Sequence, residues 1–125
     1  MTSTRASLTE QSCETSCPVA KTAELMDGKW TTRIVRDLLS GKKRYSELQR
    51  SLAGISPKVL ADRLRFLEEH GLLVKTIYPV VPPHTDYELT PQGLHLRVVI
   101  EAMAQFGQTL GGPVKKIDRV RQRAK

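Results

Sequence analysis

The stretch from residue 54 to residue 71 reads GISPKVLADRLRFLEEHG and contains the signals of one complete helix. Ser56 followed by Pro57 is a typical helix start, because the serine hydroxyl accepts a hydrogen bond from an unpaired backbone N–H and proline has no N–H to leave unpaired. Gly71 is a typical helix end, since glycine readily adopts the left-handed conformation that closes the last turn. The apolar residues recur at helical spacing on one face: Leu60, Leu64 and Leu67. The stretch therefore predicts an amphipathic helix.

The charges on this helix change sign along its length. Lys58, Arg63 and Arg65 lie toward its start, and two glutamates lie toward its end. An isolated helix favours the reverse order, because its dipole attracts anions at the N-terminus and cations at the C-terminus. The observed order is favourable if the front of the helix faces phosphates. The alternative is an ordinary surface helix, in which Asp62 pairs with Lys58 and Arg65.

The segments around this helix predict a winged helix-turn-helix. Three short helices are expected before it: one from Pro18, one near Trp30, and one that Ser46 opens. Two runs of strand-forming residues follow it, LLVKTIYP and TDYELT, separated by a proline-containing loop. A single last helix is expected from Thr90 to the glycines at 111 and 112. The fold class is thus mainly α with a small β-wing.

Composition favours an anionic partner. The 125 residues include 20 Lys and Arg against 13 Asp and Glu, a formal net charge of +7. We expect a flexible polar tail over 1–16, one domain over 17–110 and a basic tail over 111–125. The first 16 residues have no apolar core of a signal peptide, and no apolar run approaches the roughly 20 residues of a membrane span. A cytoplasmic protein without a membrane partner is expected.

No pattern of catalytic or metal-binding residues stands out. The histidines and carboxylates do not follow metal-ligand spacing, and neither a glycine-rich phosphate loop nor a nucleophile elbow is present. We therefore expect a protein that is not an enzyme, with no cofactor and no metal site.

Several spaced motifs between residue 17 and about residue 107 resemble those of the HxlR-type winged-helix transcriptional regulators, relatives of the MarR group. They include Cys17-Pro18, Gly28-Lys29-Trp30, Arg44-Tyr45-x-Glu47-Leu48, Gly54-Ile55-Ser56-x-Lys58, Tyr78-Pro79-x-Val81-Pro82-Pro83 and Tyr87-x-Leu89-Thr90. The resemblance implies a homodimeric regulator that binds double-stranded operator DNA, with the Ser56–Gly71 helix in the major groove and the wing over the adjacent backbone or minor groove. At the wing tip, His84 stands where these regulators usually have Arg or Lys.

Two-fold symmetry of such a dimer would make the operator pseudo-palindromic, with half-sites about one helical turn apart. The candidate DNA-binding residues combine those on the helix with neighbouring positions: Lys29, Arg44, Ser56, Lys58, Val59, Asp62, Arg63, Arg65 and His84.

Dimerisation is also expected from the last helix, which is apolar on more than one side because Val98, Val99 and Ile100 are consecutive. One side can pack within the domain and the other against a second subunit. The candidate interface lies on the first and last helices: Val19, Ala23, Val99, Met103, Phe106 and Leu110.

Cys17 is the candidate redox-sensing residue. It precedes the first helix, whose N–H groups favour a thiolate, and Lys21 follows one turn later. The resemblance implies sensing of quinones, aldehydes or disulfide stress at this cysteine. Cys13, in the polar tail, is a candidate resolving partner or has no role. We therefore predict a repressor whose DNA affinity changes when an oxidant or electrophile modifies Cys17. Two alternatives stay open: a regulator with inert cysteines and a small ligand in the dimer cavity, and a protein–protein interaction module.

Overall fold

The computed structural model of the chain describes residues 17–114. The predicted N-terminal tail, Cys13 and most of the predicted basic C-terminal tail lie outside these residues. The helices are α1 (Pro18–Leu25), α2 (Lys29–Leu38), α3 (Tyr45–Ser51), α4 (Pro57–Glu69), α5 (Pro91–Leu94) and α6 (Arg97–Gln108). The strands are β1 (Lys43–Arg44), β2 (Leu73–Tyr78) and β3 (His84–Leu89). The order of helices followed by a strand hairpin confirms the predicted winged helix-turn-helix.

The three strands form one antiparallel sheet in the order β1-β3-β2. β2 and β3 form the wing, in a register that pairs Leu73 with Leu89 and Tyr78 with His84. β1 pairs with the other edge of β3 and places Arg44 opposite Asp86. Because Arg44 immediately precedes α3, this pairing attaches the start of that helix to the wing.

The core lies between the helices and the inner face of the sheet. The predicted leucine face of α4 is confirmed, since Leu60, Leu64 and Leu67 are buried. They pack with apolar residues from the other elements: Ile34, Val35, Leu38, Leu48, Leu52, Leu72, Leu73, Tyr87 and Leu89. Burial of each such side chain contributes about 1.5–3 kcal/mol, and together these contacts fix the outward face of α4.

The ends of α4 are those that the sequence predicts. The Ser56 hydroxyl accepts a hydrogen bond of 3.1 Å from the backbone N–H of Val59. Pro57 occupies the first turn, and Gly71 has a positive φ of 75°. The cap and the buried leucines together hold the front of this helix in place.

The prediction that Ser46 opens α3 was wrong by one position. The helix begins at Tyr45 with Arg44 as its N-cap residue, and the backbone N–H of Arg44 donates a 2.8 Å hydrogen bond to the Glu47 carboxylate. A glutamate at the third helical position can satisfy the N-cap N–H in this way, so no serine is needed there.

The prediction of a single last helix was also wrong. The chain forms the short helix α5, and the N–H groups of His95 and Leu96 then bond to carbonyls three residues back, which tightens the turn before α6. A Cβ at Gly93 would overlap the carbonyl oxygen of Leu72, so α5 lies directly on the chain that enters β2. α6 ends at Gln108, before the predicted glycines.

Between residues 17 and 114, no helix is both long enough and apolar enough to cross a membrane.

Candidate nucleic-acid interface

The outward face of α4 carries two cations that share one carboxylate. Lys58 Nζ lies 3.0 Å from Asp62 Oδ2, and Arg65 Nη1 lies 3.5 Å from Asp62 Oδ1. The hydrogen bond from Lys58, with smaller contributions from the nearby arginines, lowers the pKa of Asp62 below its usual value. All three side chains are well exposed. The pairing that the alternative interpretation required is therefore present, but it leaves this face with excess positive charge.

Arg63 and Val59 occupy a different side of α4. Val59 is partly buried and packs against the core, so its side chain is not fully available to a partner. The Arg63 guanidinium approaches the start of α2, where Nη2 lies 3.9 Å from the position that a Cβ at Gly28 would occupy. The Arg63 guanidinium thus lies toward α2, whereas Lys58 and Arg65 both contact Asp62.

The start of α2 carries cations around an aromatic ring. Lys29 Nζ lies 4.8 Å and Arg33 Cζ 5.3 Å from the centroid of the Trp30 ring. The ring is partly buried and packs against the core. Arg33 is absent from the predicted site residues, although its position one turn after Trp30 could have indicated it.

The wing and the start of α3 enclose a groove of about 590 Å³. Arg44 and His84, both predicted contact residues, line it, and the His84 ring stacks on Tyr78 with 4.7 Å between centroids. Tyr87 forms part of the groove, and burial raises the pKa of its hydroxyl. The remaining lining comes from the wing loop and α3: Tyr45, Ser46, Val80, Val81, Pro82, Pro83 and Thr85.

The groove thereby brings Arg44 and His84 together, while Lys58 and Arg65 lie on α4.

Within residues 17–114, no group of three or more His, Cys, Asp or Glu side chains could hold a metal ion.

Comparison with known proteins identifies the family. The profile of the HxlR-like helix-turn-helix family matches residues 25–114. The chain belongs to the HxlR-like helix-turn-helix family. As a member of this family, it is a helix-turn-helix transcriptional regulator.

Individual relatives agree with this assignment. The HTH-type transcriptional regulator sll1512 from Synechocystis is 38% identical over 91 residues, which cover 73% of this chain and 67% of that protein. A MarR-family transcriptional regulator from Porphyromonas gingivalis superposes with a TM-score of 0.74 at 42% identity, over 76% of this chain and 93% of that one. The oxidised form of the redox regulator HypR gives a TM-score of 0.72 at 32% identity, over 78% of this chain and all 100% of that one.

In this HxlR-like chain, α6 presents an apolar surface to solvent. A groove of about 620 Å³ is lined by five residues of the helix: Val98, Val99, Ala102, Met103 and Phe106. Phe106 is 67% exposed, and Leu110 continues the exposed apolar surface at 43%. Val99 also packs against the core, so it contributes to the fold as well as to this groove. On α1, the predicted interface residues Val19 and Ala23 are exposed.

Cys17 is the N-cap residue of α1 and is only 5% exposed. Its carbonyl oxygen accepts a 3.0 Å hydrogen bond from the N–H of Lys21. A groove of about 370 Å³ separates α1 from the second half of α4 and is lined by Lys21, Glu24, Leu25, Phe66 and His70. The predicted redox residue is therefore buried at the start of a helix that borders α4.

Proposed function

We propose that this chain is a sequence-specific DNA-binding repressor that acts as a homodimer and is controlled by modification of Cys17. The observation that carries the DNA-binding part is the exposed cluster of Lys58, Asp62 and Arg65 on α4. Its two cations and one anion leave a net positive surface on the helix that follows the turn, which is the helix that enters the major groove in helix-turn-helix proteins.

The rigidity of α4 supports this role. Its leucine face is buried, and the Ser56 hydroxyl caps its first turn. Lys58 and Arg65 therefore project from a fixed backbone, which is the condition for reading a sequence of bases or a row of phosphates. Asp62 restrains both cations in the absence of DNA, and a phosphate or guanine edge can replace it as their partner.

The exposed apolar groove on α6 supports the homodimer. Apolar surface of this kind is typical of a contact with another protein, and a second copy offers the same surface in a two-fold arrangement. A symmetric dimer places two α4 helices on half-sites separated by about 34–36 Å or a multiple of it. A pseudo-palindromic operator follows from that geometry.

Control through Cys17 is supported by the position of α1. No residue of α1 is fully buried, and Leu25 is the one residue of the helix that packs, partly buried, against the core. Displacement of α1 therefore breaks few core contacts. An oxidised or alkylated sulfur cannot fit a position that is 5% exposed without such a displacement. Because α1 borders α4, the movement would reach the DNA-binding helix. The likeness to a protein described as a redox regulator supports an oxidant or electrophile as inducer.

The experiment begins with selection of genomic fragments by the reduced protein and measures their affinity at several salt concentrations. If the lost contact is a phosphate, Lys58→Ala and Arg65→Ala should each reduce the slope of log binding constant against log salt concentration by about 0.9 in magnitude. If the lost contact is a base, the variant should instead relax the preference at one base pair. Lys21→Ala on α1 removes one exposed charge away from the front of α4 and serves as the matched control. Unchanged binding by both α4 variants would exclude α4 as the recognition helix.

A further inference from the structure

Three cations gather at the junction between α2 and α4. Lys29 and Arg33 both lie close to the ring of Trp30, at 4.8 and 5.3 Å from its centroid. The Arg63 guanidinium lies beside Gly28, the residue immediately before α2. We call Lys29, Arg33 and Arg63, together with the Trp30 ring, the α2 cluster.

Like most cations of residues 17–114, those of the α2 cluster form no ion pair with a carboxylate of that part of the chain. The ion pairs within residues 17–114 join Arg36 to Asp37 and connect Asp62 to Lys58 and Arg65. None of them includes Lys29, Arg33 or Arg63. Like charges that lie close together repel one another. Asp62, whose pKa Arg63 also helps to lower, is already paired with Lys58 and Arg65, so the arrangement favours an anion supplied from outside the chain.

The location of the α2 cluster indicates which anion. The Trp30 ring reaches within 4.0 Å of the position that a Cβ at Gly54 would occupy, and Gly54 lies just ahead of the Ser56 cap of α4. Arg63 connects the cluster to α4 itself. The α2 cluster therefore flanks the start of the proposed recognition helix, where the phosphate backbone beside the major groove would pass.

We propose that the α2 cluster binds the phosphate backbone of the operator, with Trp30 as the positioning residue that holds Lys29 and Arg33 toward DNA. This inference rests on the proposed DNA-binding function and adds Arg33 and Trp30 to the residues expected from sequence. The ring attracts both cations through its π face and limits their side-chain freedom before DNA arrives. Contacts of this kind fix the orientation of the protein on DNA without reading bases.

The test measures binding of a fragment selected by the wild-type protein at several salt concentrations. Lys29→Ala and Arg33→Ala should each reduce the salt slope by about 0.9, with the preference for the operator over an unrelated fragment unchanged. Lys21→Ala, which removes an exposed charge on α1, should leave the slope as in the wild type. If both α2 variants keep the wild-type slope, the phosphate contact is overturned.

The role of Trp30 is tested by two substitutions that differ in the π face. Trp30→Phe retains an aromatic ring and should keep most of the wild-type salt slope. Trp30→Leu keeps an apolar side chain but has no π face, and its salt slope should be smaller than that of the wild type. Circular dichroism checks that both variants are folded. Equal slopes for folded Phe and Leu variants would overturn the positioning role.

Trp30 is the single tryptophan of the chain, so its fluorescence gives an independent readout. Iodide, an anion, should quench it less once operator DNA occupies the α2 cluster, and unchanged quenching on binding would overturn the contact. Different results would contradict the proposed DNA-binding function and the proposed phosphate contact of the α2 cluster. A wild-type protein with no preference for any DNA would contradict the proposed function, while normal operator preference with unchanged slopes in the α2 variants would contradict the α2 cluster alone.

Discussion

The Tyr45 hydroxyl donates a 3.3 Å hydrogen bond to the carbonyl oxygen of Pro57, the first residue of α4. A second bond, 3.0 Å long, runs from the Gln49 side chain to the carbonyl oxygen of Ile55. α3 therefore contacts the turn before α4 and the first residue of α4 through side-chain donors. The orientation of the proposed recognition helix depends on these two bonds as well as on the leucine core.

Tyr45→Phe should lower the free energy of unfolding by about 0.5–1.5 kcal/mol, the usual net contribution of one hydrogen bond. It removes the bond to Pro57 and keeps the ring that contacts Tyr87. Urea denaturation measures the change. Tyr78→Phe is the matched control, because among residues 17–114 the Tyr78 hydroxyl has no hydrogen-bond partner. Equal stability of the two variants would mean that the Tyr45 bond contributes nothing.

Gly93→Ala should destabilise the fold strongly, whereas Gly107→Ala should not. A Cβ at Gly93 would overlap the carbonyl oxygen of Leu72, and backbone on both sides must shift to admit it. A Cβ at Gly107 meets nothing within 4 Å, and alanine gains about 1 kcal/mol over glycine inside a helix. Thermal unfolding of both variants checks the contrast. A Gly93→Ala variant as stable as wild type would show that α5 does not pack so closely on the chain before β2.

Sequence predicted the elements whose signals are local. The cap at Ser56, the end at Gly71 and the leucine spacing of α4 each depend on residues within a few positions of one another. The break between α5 and α6 could not be predicted in this way, because it follows from the contact of Gly93 with Leu72, which is distant in sequence. Apolar residues recur at helical spacing through residue 100, so the sequence pattern alone predicts one continuous helix there.

In the candidate site, too, some residues could be placed from the local sequence pattern and others depend on how the helices pack. Lys58, Asp62 and Arg65 could be placed on one face from helical period alone, and the structure brings them together. The approach of Arg63 to Gly28 and the position of Trp30 beside Gly54 depend on how α2 packs against α4. Burial of Cys17 likewise depends on where α1 docks, which the spacing of charges around it does not specify.

Lys58→Ala should raise the pKa of Asp62 toward its ordinary value of 3.8, since the hydrogen bond from Lys58 is the largest cause of its depression. In the wild type, the folded-state pKa lies below that of the unfolded chain. The interaction therefore contributes to stability above the unfolded-state pKa and is lost as the pH falls through the folded-state value. Carboxyl NMR titration measures the change, with Arg36→Ala as a control that should leave Asp62 unchanged. An unaltered Asp62 titration in Lys58→Ala would contradict the pairing.

Phe106→Asp should convert the proposed dimer to a monomer without unfolding it. The side chain is 67% exposed in the single chain, so a carboxylate there is solvated in the monomer but would be buried and unpaired in a dimer, at a cost of several kcal/mol. Sedimentation equilibrium measures the association. Gln105→Asp adds the same charge to a neighbouring α6 residue that does not line the apolar groove and should stay dimeric. A dimeric Phe106→Asp would place the interface elsewhere.

Modification of Cys17 should be limited by opening of α1. The residue is 5% exposed, so a thiol reagent can reach the sulfur only after α1 moves. Because α1 has no fully buried residue of its own, we expect this movement to require less free energy than global unfolding. The rate of Cys17 alkylation, followed by mass spectrometry, should rise in urea well below the concentration that unfolds the core. A rate that stays flat until global unfolding would mean that α1 opens only with the whole domain.

Cys17, rather than Cys13, should control DNA affinity. Modification at the buried start of α1 adds bulk where there is no room, and the groove between α1 and α4 connects that displacement to the DNA-binding helix. A tenfold change in affinity needs a bias of only about 1.4 kcal/mol between two arrangements. Wild type and Cys13→Ser should lose or gain operator affinity after treatment with diamide or a quinone, and Cys17→Ser should bind DNA and ignore the reagent. A response that persists in Cys17→Ser would exclude this switch, and a wild type that responds only to a small non-reactive ligand would favour control from the dimer cavity.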